Sequence, residues 1–96
     1  MTDGLFDELL HAPQRLRISA ILDTASYVEF GELQNRLGIS KSALSKHLSQ
    51  LEEGGYVQNL RVTVAGRSRL RTSFTGRGRE KYRAHKEALR KILQTD

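Results

Sequence analysis

Apolar residues recur every three or four positions over most of this chain, and the period shortens to two only between residues 57 and 74. Leu5, Phe6, Leu9 and Leu10 follow Thr2 and Asp3, either of which can serve as a cap, and predict a short helix over 3–12. Pro13 ends that helix or opens the next, in which Leu16, Ile18, Ile21, Leu22 and Ala25 form an inward stripe. Phe30, Leu33 and Leu37 predict a short helix within 29–38, with Gly38 where a left-handed residue is wanted. Ser40 is a good N-cap for the following helix, about 41–53, whose apolar face is Leu44, Leu48 and Leu51.

Gly54-Gly55 stops that helix. Leu60, Val62 and Val64 then alternate with Arg61 and Thr63. Beyond a polar turn at Ala65-Gly66-Arg67-Ser68, Arg69, Arg71 and Ser73 alternate with Leu70, Thr72 and Phe74. These runs predict a β-hairpin with one apolar and one basic face. Thr75 caps a last helix reaching about Gln94, with Tyr82, His85, Leu89, Ile92 and Leu93 on one side. Two helices joined through Gly38-Ile39-Ser40 make the tight corner of a helix-turn-helix. With the hairpin and last helix added, the fold class is mainly α with a small β-hairpin. It is a winged helix-turn-helix, with a three-helix core, a wing and a long C-terminal helix in one domain over 1–96.

Composition narrows the setting. At 96 residues and 38% hydrophobic content, one modest core can form, and the absence of cysteine excludes disulfides and thiolate metal sites. No apolar run approaches the roughly 18 residues of a bilayer span, and no basic-then-apolar leader opens the chain. A soluble, cytoplasmic protein with no membrane partner is expected.

The net charge of +5 is unevenly spread. Residues 1–39 carry three basic side chains against six acidic ones, whereas residues 40–96 carry 13 against five, so the balance swings from −3 to +8. A basic half favours a polyanion, since neutralising phosphates releases condensed counterions. The switch falls at the start of the 41–53 helix. With its leucines inward, Ser42, Ser45, Lys46 and Ser49 point away from the core, short or flexible enough to let the helix enter a major groove. Ser40 and Lys41 stand at the helix start, where free amides and positive charge suit a phosphate. His47 has two readings: a hydrogen bond to DNA backbone, or a covered edge against a neighbouring helix. Arg67 at the hairpin tip, with Arg69 and Arg71 behind it, suits backbone or an adjacent minor groove. Arg77 and Arg79 oppose the dipole of the last helix, a conflict that a phosphate or Glu80 would relieve.

The stretch SKSALSKHLSQLEEGGYV, from Ser40 to Val57, resembles the recognition helix and strand entry of MarR/ArsR-like winged helix-turn-helix transcriptional regulators. PQRLRISAIL, FGELQNRLGIS and SFTGRGREKY are similar to the same family's second helix, third helix and wing-to-last-helix passage. The likeness is greatest to the short, single-domain type. It implies a homodimeric transcription regulator, usually a repressor, binding a pseudo-palindromic operator in double-stranded DNA. Metal-sensing relatives carry cysteines in the third helix, whereas Glu29 to Arg36 has none, and His11, His47 and His85 show no close pairing in sequence. No metal and no cofactor is expected, and no small-molecule effector is assigned, because little sequence remains to build a pocket.

The apolar stripes at the two ends, Leu5, Phe6 and Leu9 with Tyr82, His85, Leu89, Ile92 and Leu93, either cover each other within one chain or pack against a twofold mate. The dimer is the expectation, with helices 3–12 and 76–94 forming it and setting the half-site spacing near one DNA turn. A second functional class is a winged-helix protein-interaction module, which would not need the basic groove face. An enzyme is not expected: no nucleophile-base pair, metal-ligand spacing or phosphate-cradling loop is present.

Overall fold

The computed structural model describes residues 6–94. Its elements run α1 (Pro13–Leu22), β1 (Val28–Glu29), α2 (Phe30–Leu37), α3 (Lys41–Glu53), β2 (Val57–Val64), β3 (Arg67–Phe74) and α4 (Gly76–Leu93). The three strands form one antiparallel sheet in the order β1-β3-β2. This is a winged helix fold.

The helix boundaries follow local chemistry. Pro13 stands at the first turn of α1, where a missing N–H costs nothing, and it holds Ala12 in extended backbone. Gly38 ends α2 at φ 66°, ψ 33°, and its N–H donates to Gln34 O at 2.9 Å. Ser40 Oγ then accepts from Ala43 N at 3.1 Å to start α3. At the far end of the wing, Thr75 Oγ1 accepts from Gly78 N at 2.9 Å to start α4 and donates to Gly55 O at 2.7 Å.

Ile18 and Leu22 of α1, Leu33 and Leu37 of α2, and Leu44, Leu48 and Leu51 of α3 meet in one buried cluster with Val28, Tyr56, Val57 and Tyr82. Each fully buried leucine contributes roughly 1.5–3 kcal/mol of transfer free energy, enough to hold three short helices in fixed relation. Arg17 adds a polar tie, donating to Arg36 O and Leu37 O at the end of α2.

The helix expected over 3–12 is not formed among the described residues; Leu5 lies outside them, and residues 8–11 form a turn. Asp7 diverts the chain. Its Oδ1 accepts from Leu10 N at 3.1 Å, its Oδ2 from the Tyr56 hydroxyl, and its own N–H donates to His85 Nδ1 at 2.9 Å. Phe6 packs against the rings of His11 and His85, and Leu10 is fully buried. The two-residue β1 also departs from the expected pattern, being too short to show a period of its own.

The hairpin corrects the expected division into an apolar and a basic face. Its turn is two residues, Ala65 (φ 51°) and Gly66 (φ 78°), so Val64 pairs with Arg67, Val62 with Arg69 and Leu60 with Arg71. Aliphatic and basic side chains therefore share one face, and Leu60 stays 61% exposed on it. The other face, carrying Val57, Asn59 and Thr72, meets α3: Asn59 accepts from Thr72 Oγ1 at 2.7 Å and donates to Glu52 Oε1 at 3.2 Å.

Candidate nucleic-acid interface

Leu44, Leu48 and Leu51 fix the roll of α3, and Ser42, Ser45, Lys46 and Ser49 are exposed on its far side, with Ser40 and Lys41 at its start. The expected surface is thus brought together on one helix face. A groove of about 730 Å³ lies between this helix and the wing, lined on one wall by Lys41, Ser45 and Asn35 and on the other by Arg61, Arg67 and Arg69. A shallower one of about 340 Å³ continues along Ser45, Ser49, Asn59 and Arg61. Among the described residues, Lys41, Lys46, Arg61 and Arg67 take part in no ion pair. These four cations have no described carboxylate within pairing distance, although Glu29 and Glu32 also line the larger groove.

Arg61 was not among the expected site residues. It shares a strand face with buried Val57, four positions earlier, and so looks toward α3; its guanidinium donates to Ser68 Oγ at 3.1 Å. The period of two carried that signal, but the alternation of Arg61 with aliphatics reads as ordinary exposed polarity.

Arg69 and Arg71 are brought to the wing as expected, but both close on Glu29, Arg69 Nη1 to Oε1 at 3.0 Å and Arg71 Nε to Oε2 at 3.3 Å. Arg77 and Arg79 also find protein partners. Arg77 donates to Gly54 O at 3.3 Å and lies over the Tyr56 ring, while Arg79 pairs with Asp23 at 2.9 Å. Neither a phosphate nor Glu80 is needed to relieve them.

His47 is half-buried against α1. His47 Nδ1 stands 3.2 Å from Arg15 Nη1, which also donates to Gln50 Oε1 at 2.7 Å, while Arg15 Nε donates to Leu9 O at 2.6 Å. A guanidinium only donates, so Nδ1 is the acceptor in this contact. Burial, then the charges of Arg15 and Lys46, hold its pKa below the usual histidine value.

The terminal stripe divides. Tyr82 and His85 are buried within the chain itself, Leu89 and Leu9 are half-buried, and only Ile92 (52% exposed) and Leu93 (79%) stand free on the described surface. The rings of His11 and His85 meet edge to face, their centroids 5.4 Å apart. Burial and the His11 charge lower the His85 pKa, and its Nε2 has no hydrogen-bond partner among the described residues. Tyr56, desolvated and donating to Asp7, is pushed up to about 12. No group of three metal-ligating side chains gathers among the described residues, and no helix there is long and apolar enough to cross a membrane.

The family model of a winged helix DNA-binding domain matches residues 14–93. An uncharacterised protein of Methanocaldococcus jannaschii is 31% identical over 87 residues, covering 91% of each chain. Among solved structures, a transcriptional regulator homologue from Pyrococcus horikoshii superposes with a TM-score of 0.85 at 26% identity, over 91% of this chain and 86% of that one. The PcaV transcriptional regulator from Streptomyces coelicolor, solved with its natural ligand, superposes with a TM-score of 0.78 at 20% identity. That match covers 94% of this chain and 62% of PcaV, and is a likeness of fold.

Proposed function

This chain belongs to the winged helix DNA-binding domain family, with MarR-like transcriptional regulators among its structural neighbours, and from that premise we propose that it is a sequence-specific, double-stranded DNA-binding transcription regulator. The observation that carries the reading is the exposed face of α3 with Lys41 and Lys46 unpaired, beside a groove whose opposite wall holds Arg61 and Arg67. In this reading α3 enters the major groove. Ser42, Ser45, Lys46 and Ser49 meet base edges and phosphates, Ser40 and Lys41 meet the backbone, and the hairpin tip lies on backbone or adjacent minor groove.

The protein acts without catalysis, as a single domain over 1–96, in the cytoplasm. It works as a homodimer, because one small module with weakly discriminating serines needs a second half-site for useful specificity. Exposed Ile92 and Leu93 at the end of α4 support that assembly. Occupying an operator in this way excludes polymerase, so the expected role is repression. The test is binding of the full chain to the promoter region of its own gene, compared with Lys46→Ala and Arg67→Ala. Each substitution should weaken binding while leaving the thermal melt nearly unchanged, because both side chains are exposed. Equal binding by the double variant at moderate salt would remove the proposed surface.

A further inference from the structure

Strand β1 is only two residues long, yet its second residue ties the wing to the helix-turn-helix. Glu29 sits opposite Arg71 in the β1–β3 ladder and immediately precedes α2. Its two carboxylate oxygens go to different arginines of β3, Oε1 to Arg69 and Oε2 to Arg71. The Glu29 and Arg71 side chains are 27% and 29% exposed, so their pair is partly shielded from solvent, while Arg69, 43% exposed, makes its pair nearer the surface. Arg71 is held further by Tyr27, its guanidinium carbon lying 4.4 Å from the ring centroid. Arg61 and Arg67 differ. The first is bonded to a neutral hydroxyl and the second stands outside every ion pair among the described residues.

We infer that Glu29 is a positioning residue for DNA binding. It withdraws Arg69 and Arg71 from phosphate and uses them to set the hairpin against the start of α2, leaving Arg61 and Arg67 as the wing cations that meet DNA. The inference rests on the DNA-binding reading above. Its physical consequence concerns the electrostatic part of binding. Two loose arginines would attract any duplex, each neutralised phosphate steepening the fall of log K with log salt by roughly 0.9. Locking them removes that sequence-independent attraction from every duplex alike and leaves the reading of sequence to α3.

The test measures salt slopes for the full chain on a duplex from its own promoter region and on a scrambled duplex of the same composition. Arg61→Ala and Arg67→Ala should each flatten the slope by roughly 0.9, and Arg69→Ala by less than half as much. Glu29→Gln should steepen the slope by roughly 1 to 2 on both duplexes and raise affinity for both severalfold. A role confined to stability would move the melt and none of these slopes. The assignment is overturned if Arg69→Ala flattens the slope as much as Arg67→Ala does, or if folded Glu29→Gln keeps the wild-type slope. Should Glu29→Gln fail to fold, the comparison of Arg69→Ala with Arg67→Ala decides alone. Wild-type protein that shows no salt-dependent binding overturns the DNA reading itself, before any variant is compared, and the role of Glu29 with it.

Discussion

Replacing Gly78 by alanine sets two physical rules against each other. Gly78 lies in the first turn of α4, where helix propensity alone favours alanine by about 1 kcal/mol. Packing predicts the reverse. A β-carbon built on Gly78 would lie 1.9 Å from Tyr56 O, 2.7 Å from Tyr56 C and 2.9 Å from Tyr56 Cα. These are backbone atoms at the entry to β2, so no side chain can rotate away, and the start of α4 must retreat by roughly 1 Å in a close-packed interior. Two hydrogen bonds cross that junction, Thr75 N to Tyr56 O at 3.0 Å and Thr75 Oγ1 to Gly55 O at 2.7 Å. Stretching them forfeits about 1 kcal/mol each, and overpacking adds about 1–3 kcal/mol. Set against the propensity gain, Gly78→Ala should destabilise by about 3 kcal/mol, a fall in melting temperature of roughly 10–20 °C for a domain of this size. Thermal and urea unfolding by circular dichroism measure it. Gly54→Ala is the control, because the one short contact of its β-carbon would be with the flexible end of Leu9, Cδ2, at 2.6 Å, the Gln50 and Leu51 carbonyls standing off at 3.7 Å, and it should cost no more than about 1 kcal/mol. A melt of Gly78→Ala within about 3 °C of wild type, or above it, would refute the packing argument.

Other outcomes follow from the same geometry. Ala65 holds φ 51° in the wing turn, so Ala65→Asn, which places the favoured residue type before Gly66, should stabilise by about 0.5–1 kcal/mol; a lower melting temperature would contradict the assigned turn. His85 is buried and neutral with its folded pKa lowered, so the unfolded chain binds the proton first as acid is added. Stability should be full above the unfolded value near 6.5 and fall as the pH drops below it, with His47 adding to the same slope; His85→Leu should be less stable at pH 8 but lose less stability between about pH 7 and 5. An unchanged acid slope in that variant would remove His85 as its source. Leu93→Asp should convert a dimer to monomer in sedimentation, and a dimer that survives both Leu93→Asp and Ile92→Asp has its interface elsewhere.

The parts legible in the sequence were those whose causes lie within a few residues. Gly38 and Ser40 close one helix and cap the next through bonds spanning three or four positions, so the bounds of α3 and its exposed serine-lysine face could be read directly. Thr75 marks the start of α4 for the same reason. What escaped depends on distant partners. Leu9 and Leu10 have helical spacing, but Asp7 answers to Tyr56 and His85, far along the chain, and that competition leaves a turn instead. Arg69 and Arg71 looked available until β1 brought Glu29 across from them. Arg61 looked like surface until the sheet register turned it toward α3.

The most direct measurement is the affinity of the full chain for its own promoter duplex and for a scrambled duplex, by fluorescence anisotropy across a salt series. The protein should bind the promoter duplex more tightly, with a linear fall of log K with log salt whose slope reflects several phosphates neutralised by Lys41, Lys46, Arg61 and Arg67. Equal affinity for the two duplexes, or binding indifferent to salt, would contradict the proposed function.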